Sequence, residues 1–291
     1  MSTATHLLPN PSNETAAHVL HQEPTVQPVS RINIGNLGID TYSETGLVDH
    51  VLDHAFNGRR TRQIVTANAQ FYVLAEKDSR FRQCLDKAEY ICADGMPLVW
   101  ACVRFAGIKV PRITGVDFIE ALCQRGERDG LRIFLIGGRP GTAQATAEKM
   151  KHRYPGIVIA GVACPQWGFE TSEETLVPVL SQIAAAKPHI LLVGLGAPKQ
   201  EFFINEHIRP LGVPIAVGIG GSFEILSGTL ERAPKWIQSG GFEWAYRLAK
   251  EPKRLWKRYL LGNAEFILDL AKWRVRALRN VIHLEGDLNR S

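Results

Sequence analysis

The feature that most constrains the fold is an alternation of short apolar runs with amphipathic segments, which begins near residue 31. The apolar runs have the length of buried strands and lie at 63–67, 89–93, 132–136, 157–162, 190–195 and 214–218. The first amphipathic segment predicts a helix that Ser43 caps at its start and Gly58 at its end. Buried strands separated by helices are typical of a parallel sheet with helices on both faces. The sequence therefore predicts an α/β, Rossmann-like fold with a mostly parallel sheet flanked by helices.

This alternation divides the chain into four parts. Residues 1–30 are rich in Pro, Asn, Thr, Gln and His, and they lack the basic start and apolar centre of a signal peptide, so they predict a disordered leader. Residues 31–232 form the predicted α/β core. No strand pattern follows Gly220, and residues 233–284 predict a basic helical appendage, followed by a tail at 285–291.

The appendage carries most of the excess positive charge. The net charge of the chain is only +5, but basic residues far outnumber acidic ones between residues 247 and 279. Pro252 is expected to break this stretch into two helices. Cations recur beside apolar side chains that continue towards the C-terminus: Arg247, Lys250, Arg254, Arg258, Trp256, Tyr259, Leu260, Phe266, Leu270 and Trp273. A basic, aromatic amphipathic helix favours an anionic membrane surface. The alternative is that the aromatic side chains pack on the core and the cations are solvated.

A polar residue follows each of two predicted neighbouring strands. In YICADGMPLV, Asp94 ends a strand just before Gly95 and a new helix, so it is either a helix N-cap or a catalytic carboxylate. Thr66 and Asn68 end the preceding strand, where capping is the commoner role. In open parallel sheets, ligands bind outside the carboxyl ends of the strands. All three side chains would then face one crevice if the two strands are neighbours.

A glycine-rich turn follows a third strand, in FLIGGRPGTA. Gly137, Gly138 and Gly141 would allow close backbone approach, and a helix start favours an anion. Binding of NAD is the alternative. It is disfavoured because the spacing is GGxxG, and because the next strand ends at Cys164 and Pro165 without an acid for a ribose diol.

Two more strand ends carry polar groups. The segment GLGAPKQE presents Lys199, Gln200 and Glu201 beside a helix start, and GIGGSFE presents Glu224. Glu224 could accept a hydrogen bond from a nucleobase N–H, and Arg232 could pair with phosphate. Such a group of polar residues fits a ligand site better than a surface turn.

Eight segments resemble, in order, the WecG/TagA/CpsF bacterial glycosyltransferases: TANAQFYVLAEKD, ADGMPLV, RITGVDFI, FLIGGRPGTA, ILLVGLGAPKQE, GIGGSFEILSG, RAPKW and EWAYRLAKEPKRLWKRYL. The resemblance implies inverting transfer of a hexose or N-acetylhexosamine from a UDP-sugar to a polyprenyl diphosphate-linked saccharide. This reaction would serve cell-surface or exopolysaccharide biosynthesis. The protein would be cytoplasmic and peripherally associated with the inner face of the cell membrane.

The resemblance also implies roles for individual residues. Asp94 would be the general base, with Thr66 beside it. The residues that would contact the nucleotide-sugar are Asn68, Arg112, Gly137, Gly138, Gln200, Glu224, Arg247 and Arg254, with Lys257 or Arg258 as a third cation from the appendage. Glu224 occupies a position where the family more often has Asp, and it would bind the uracil.

The sequence favours a reaction without a metal ion or other cofactor. Many glycosyltransferases bind a metal through D-x-D, and this chain contains neither D-x-D nor a histidine and carboxylate cluster with metal-ligand spacing. Arginines and helix N-termini are then the available cations for a departing diphosphate. The five cysteines are scattered and predict reduced thiols.

Two other classes of protein are alternatives to the glycosyltransferase. One is a Rossmann-like oxidoreductase, which the missing ribose acid disfavours. The other is a nonenzymatic membrane or nucleic-acid adaptor, which leaves the polar strand ends unexplained, so no nucleic-acid partner is expected. The sugar, the acceptor glycan and the oligomeric state stay open, and a homo-oligomer is one option.

Overall fold

The structure is a computed structural model that describes residues 30–288, with side chains described as far as Val275. The predicted leader at 1–30 lies outside the described residues apart from Ser30, as do the last three residues of the predicted tail at 285–291. The strands in this part of the chain are β1 (Arg31–Ile34), β2 (Leu37–Asp40), β3 (Arg62–Ala67), β4 (Tyr90–Ala93), β5 (Arg132–Gly137), β6 (Val158–Ala163), β7 (Ile190–Gly194) and β8 (Ile215–Gly218).

Strands β3 to β8 form one sheet in the order β4-β3-β8-β7-β5-β6, and all neighbouring strands are parallel. These are the strands that the six apolar runs predict, so the prediction of a parallel α/β sheet is confirmed. No strand follows Gly220 in the described chain, also as predicted. The carboxyl ends of parallel strands meet at one edge of the sheet, and that edge holds the polar strand ends.

Helices cover the sheet. They are α1 (Glu44–Asn57), α2 (Ala69–Lys77), α3 (Ser79–Asp86), α4 (Met96–Ala101), α5 (Gly115–Gly126), α6 (Thr142–Arg153), α7 (Glu173–Ala186), α8 (Lys199–Phe203), α9 (Arg209–Leu211), α10 (Ser222–Leu226), α11 (Lys235–Ser239), α12 (Glu243–Lys250), α13 (Pro252–Trp256) and α14 (Gly262–Leu288). Turns of π-helix extend α4, α8 and α13 at Cys102–Ala106, Ile204–Ile208 and Lys257–Leu261. Both predicted caps of α1 are present, because Ser43 accepts from the Gly46 N–H and the Gly58 N–H donates to the His54 carbonyl.

Alternate residues of each strand face opposite layers of helices. In β3, Ile64 belongs to a core cluster with Val51 of α1 and Phe118 of α5. The next residue, Val65, belongs to a different cluster with Phe81 of α3. Because strand side chains alternate between the two faces, these clusters confirm helices on both sides of the sheet.

The β1–β2 hairpin is an element that the strand pattern did not predict. Its strands are antiparallel, with Ile34 opposite Leu37 across a two-residue turn. Gly35 has a φ of 58° in that turn, a conformation that favours glycine. The Asp40 carboxylate accepts from the Arg31 side chain at 2.8 Å and from the Ile91 N–H at 2.7 Å. The hairpin is therefore fastened beside β4.

The predicted appendage at 233–284 contains α11, α12, α13 and most of α14, and it packs on the core. Pro252 begins α13, so the predicted break is confirmed. Phe266 and Leu270 of α14 are each 1% exposed and join the core cluster that contains Tyr72 of α2. None of the helices in the described residues is both long enough and apolar enough to cross a bilayer.

The prediction for the membrane-facing side of the appendage is partly wrong. Phe266 and Leu270 are buried, Trp273 stacks on Phe105 at 6.4 Å, and Tyr259 stacks on Trp244 at 6.1 Å. The sequence pattern assigned these side chains to the wrong face because the helix also has an apolar inner face. The exposed apolar side consists of Trp256, Leu260, Leu261, Ile267, Leu268 and Val275.

Candidate active site

Asp94 lies where β4 ends beside β3. The sheet register pairs Ala93 with Ala67, and the Asp94 N–H donates to the Ala67 carbonyl at 2.7 Å. Helix α4 begins next, but its N-cap residue is Gly95, and no side chain caps it. The N-cap interpretation of Asp94 is therefore wrong, and its carboxylate is available for other chemistry.

The environment of Asp94 tunes its protonation. Its carboxylate makes no hydrogen bond or ion pair with the part of the chain that the structure describes. Burial raises the pKa of Asp94 to about 6, against the opposing charge of Arg247. Glu243 adds to the rise, and Arg258 and Arg112 oppose it. At neutral pH, most of the carboxylate is ionised, which is the state required of a general base.

A crevice of three cavities follows the carboxyl edge of the sheet. The arginine-lined cavity measures about 330 Å³ and is bordered by Thr66, Asn68, Asp94, Gly220, Arg247, Arg254 and Arg258. The glycine-lined cavity measures about 690 Å³ and is bordered by Gly137, Gly138, Gly196, Gly220, Glu224 and Arg254. The tryptophan-lined cavity measures about 100 Å³ and is bordered by Asn68, Asp94, Arg112, Trp244, Arg247, Arg258 and Tyr259.

These cavities are adjacent because they share residues. Arg254 borders both the glycine-lined and the arginine-lined cavity. Asp94, Arg247 and Arg258 border both the arginine-lined and the tryptophan-lined cavity. The carboxylate of Asp94 therefore lies at the junction of two compartments, with cationic side chains beside it.

Thr66 and Asn68 reach this crevice because β3 and β4 are neighbours. The Thr66 hydroxyl donates to the Gly218 carbonyl at 3.3 Å. Asn68 caps α2 by accepting from the Gln70 N–H at 3.0 Å, and it also borders both cavities that meet at Asp94. The structure thus brings Thr66, Asn68 and Asp94 to one site, and the capping role of Asn68 is present as well.

Helices α12 and α13 bring arginines to the crevice. Arg247 and Arg254 both border the arginine-lined cavity. Burial lowers the pKa of the Arg258 guanidinium, which still remains charged at neutral pH. Lys257 is exposed and does not border any of the three cavities. Of the two candidates for the third cation, Arg258 is therefore the one at the crevice.

Two further candidate cations are held by carboxylates. Arg112 borders the tryptophan-lined cavity and pairs with Glu243 at 3.1 Å. Arg232 donates to both oxygens of Asp117, at 2.6 and 2.7 Å, and to Glu243 at 3.3 Å. This network joins α5 to α12. Arg232 is therefore a structural link, and the suggestion that it pairs with phosphate is not supported.

The glycine-lined cavity owes its shape to close backbone packing. Gly137 and Gly138 have φ values of 91° and 79°. A Cβ at Gly137 would lie 2.9 Å from the Gly194 carbonyl oxygen, so a larger residue would not fit. Glu224 is 8% exposed, and one of its carboxylate oxygens is buried without a partner among the described residues. Its other oxygen lies 3.7 Å from the Arg139 guanidinium.

Gln200 lies beneath the crevice rather than in its wall. Its amide oxygen accepts from the Gly196 and Gly220 N–H groups at 3.1 and 3.0 Å. Its amide nitrogen donates to Glu201 at 2.7 Å. Burial raises the pKa of Glu201 to about 8, so this acid is mostly neutral at pH 7. The hydrogen-bonded pair of Gln200 and Glu201 therefore joins the two loops, one after β7 and one after β8, that border the glycine-lined cavity.

Trp244 and Tyr259 are candidate site residues that the sequence patterns did not indicate. Both border the tryptophan-lined cavity, and their rings are 6.1 Å apart at 52°. For Trp244 a signal exists in EWAYR, because it lies three residues before Arg247 and so shares its helix face. No comparable signal marks Tyr259.

Among residues 30–275, no three histidine, cysteine, aspartate or glutamate side chains come close enough to hold one metal ion. All five cysteines are free thiols, and Cys164 is the exposed one.

Comparison with known proteins defines the class. Residues 32–280 match a family described as "Glycosyl transferase WecG/TagA/CpsF family". Over 216 residues, the chain is 32% identical to the N-acetylglucosaminyldiphosphoundecaprenol N-acetyl-beta-D-mannosaminyltransferase of Bacillus spizizenii, an alignment that covers 74% of this chain and 81% of that protein. The chain is therefore a glycosyltransferase, which excludes the oxidoreductase and adaptor alternatives. More particularly, it belongs to the WecG/TagA/CpsF family, and the resemblance seen in its motifs is confirmed.

Proposed function

We propose that the protein transfers a hexose or N-acetylhexosamine from a UDP-sugar to a polyprenyl diphosphate-linked saccharide, with inversion at the anomeric carbon. The observation that carries this proposal is the position of Asp94 at the junction of two cavities, beside Arg247 and Arg258. The name of the Bacillus relative supports the substrate class, because that protein transfers N-acetylmannosamine to an N-acetylglucosaminyl diphosphoundecaprenol. Such a reaction serves cell-surface or exopolysaccharide biosynthesis.

The donor occupies the glycine-lined and arginine-lined cavities. The first, at about 690 Å³, falls in the range of about 300–1,000 Å³ that small-molecule sites occupy. The unpartnered carboxylate oxygen of Glu224 accepts the uracil N–H there. The diphosphate then lies in the arginine-lined cavity, where Arg254, Arg247 and Arg258 supply positive charge.

Asp94 acts as the general base. It removes the proton from the acceptor hydroxyl as the oxygen attacks the anomeric carbon of the donor sugar. The bond from that carbon to the UDP oxygen breaks on the opposite face, and UDP leaves with the electron pair. A single displacement of this kind inverts the anomeric centre, and a base with a pKa near 6 is largely ionised at neutral pH.

The negative charge that develops on UDP is stabilised by the appendage arginines, without a metal ion. Fixed cations aimed at a developing charge are an effective form of transition-state stabilisation. Support for this proposal comes from the three arginines that border one cavity and from a sequence without D-x-D.

The remaining predicted site residues have supporting roles. Thr66 and Asn68 flank the donor sugar beside Asp94, and Arg112 approaches it from the tryptophan-lined cavity. Gly137 and Gly138 allow the nucleotide to approach the backbone. Gln200 acts from beneath, by fixing the two loops that form the donor site.

The exposed side of the appendage binds an anionic membrane at the inner face. Trp256, Leu260 and Leu268 are each more than two-fifths exposed, whereas Phe266 is buried. Lys253 and Lys257 are exposed nearby. Apolar side chains with adjacent cations are the combination that holds an amphipathic helix at an anionic interface.

The proposed function is tested first by ligand binding and then by transfer. UDP should raise the melting temperature of the full chain, whereas NAD and single-stranded RNA should not, because a ligand specific for the native state stabilises it. Product formation is then measured with UDP-N-acetylmannosamine and other UDP-sugars on a short-chain prenyl diphosphate N-acetylglucosamine. A chain that binds UDP but transfers none of these sugars would contradict the proposed acceptor class.

A further inference from the structure

Two residues that line the tryptophan-lined cavity each carry a buried donor without a partner among the described residues. The indole Nε1–H of Trp244 and the guanidinium Nε–H of Arg247 are each buried without a hydrogen-bond acceptor among the described residues. Both belong to α12 and lie three residues apart, so they share a helix face. Buried polar groups in native proteins are almost always paired, so these two require an explanation.

The carboxylate of Asp94 borders the same cavity and also has no partner among the described residues. The cavity wall therefore includes an unpaired acceptor as well as the two residues with buried unpaired donors. A sugar matches this set because it carries hydroxyl groups that donate and oxygens that accept. One hydroxyl group of the sugar donates a hydrogen bond to Asp94. An oxygen elsewhere on the ring or its substituents accepts a hydrogen bond from a donor of α12.

The aromatic pair in the wall is the kind of surface that a sugar ring contacts. The Trp244 indole is half-buried and is supported by Tyr259, with their rings 6.1 Å apart at an angle of 52°. An indole offers a rigid apolar face together with one polar N–H at its edge. A pyranose offers the complementary surface, an apolar face of C–H groups with oxygens around the rim.

The arrangement of the crevice assigns this sugar to the acceptor. On the proposed function, the donor diphosphate occupies the arginine-lined cavity on one side of Asp94. The acceptor hydroxyl must then approach Asp94 from the other side, which is the tryptophan-lined cavity. Trp244 borders that cavity and neither of the two assigned to the donor.

We propose that Trp244 binds the acceptor sugar, with its ring against the sugar face and its Nε1–H donating to a sugar oxygen. This inference rests on the proposed function and extends it to the acceptor. It predicts a residue that discriminates between the two substrates, because Trp244 contacts the acceptor only.

The test is Trp244→Phe, which keeps an aromatic face and removes the N–H. Initial rates are measured in detergent, with the short-chain acceptor and the UDP-sugar each varied in turn. The acceptor KM should rise by about 3–10-fold, the effect of losing one hydrogen bond. The donor KM and the increase in melting temperature caused by UDP should stay at wild-type values. The matched control is Trp236→Phe, because Trp236 is 76% exposed and borders none of the three cavities.

An unchanged acceptor KM in Trp244→Phe, or an equal rise in the donor KM, would overturn the inference. If that variant does not fold, Tyr259→Leu decides the question, since it removes the ring that supports Trp244 and should raise the acceptor KM alone. The failure of the inference is distinct from that of the proposed function. In the first case the wild-type chain still transfers sugar, and in the second it does not.

Discussion

The strand ends of the core and the helices of the appendage bring opposite kinds of unpaired polar group to the crevice. In the core, the carboxylate of Asp94 and one carboxylate oxygen of Glu224 are acceptors without a partner among the described residues. In the appendage, Trp244 and Arg247 each leave a buried donor unpaired among the described residues. The difference indicates that the core supplies acceptors for a ligand and that the appendage supplies donors.

Asp94 is the residue where the two regions meet. It is part of the core, but the largest charge that opposes the rise in its pKa comes from Arg247 of the appendage. The proposed site is therefore composite, with the proposed base from the sheet edge and cations from α12 and beyond. The following predictions test each half of that comparison separately.

The largest effect is expected at the core side. Asp94→Asn should lower kcat by about 10²–10⁴-fold, because general-base catalysis contributes that much. The binding of UDP should be nearly unchanged, as seen in the same shift of melting temperature. A folded variant that turns over at the wild-type rate would remove Asp94 from the mechanism.

A smaller loss is expected from the appendage side. Arg247→Met should lower kcat by about 10²–10³-fold, since it removes one group that stabilises charge in the transition state. Arg128→Met is the matched control, because Arg128 is exposed in the turn that follows α5 and borders none of the three cavities. Equal rates in the two variants would mean that the appendage is not part of the catalytic site.

The outer side of the appendage should affect membrane binding. The double variant Lys253→Glu and Lys257→Glu should reduce co-sedimentation with anionic vesicles by at least about tenfold, given about 1 kcal/mol for each near-surface cation. The effect should shrink as salt rises, because exposed charges are screened. Lys151→Glu, on α6, is the control for a general change of charge. Binding that does not respond to either salt or charge reversal would contradict this role.

No effect is expected from chelation. Transfer should continue in EDTA at the rate seen without it, because on the proposed mechanism the arginines stabilise the departing diphosphate. The measurement is the initial rate after dialysis against the chelator, with and without added Mg²⁺ or Mn²⁺. Activity that is lost on chelation and restored by either ion would show that the cations of the appendage are insufficient.

The sheet and the core half of the site could be predicted from sequence because both depend on local patterns. Apolar runs mark β3 to β8, and a polar residue after a strand such as Asp94 must lie at the carboxyl edge of a parallel sheet. The β1–β2 hairpin was not predicted, although its glycine-containing two-residue turn is a known signal.

The appendage was harder to predict because both of its faces are apolar. Helical spacing cannot tell Phe266, which is buried against α2, from Ile267, which is 63% exposed. The choice depends on which face the core covers, and that is a tertiary contact. For the same reason, the three-residue spacing of Trp244 from Arg247 was not a sufficient sign of a site residue, since its cavity exists only where α12 meets the strand ends.

The composite site is tested most directly by the pH dependence of kcat/KM in the wild-type chain and in Arg247→Met. In the wild type, kcat/KM should fall as the pH drops through about 6, because Asp94 must be ionised to accept a proton. Loss of Arg247 removes the charge that most strongly holds this pKa down, so the same limb should move to higher pH. A limb at the same pH in both proteins, or one that persists in Asp94→Asn, would contradict a base in the core that is tuned by the appendage.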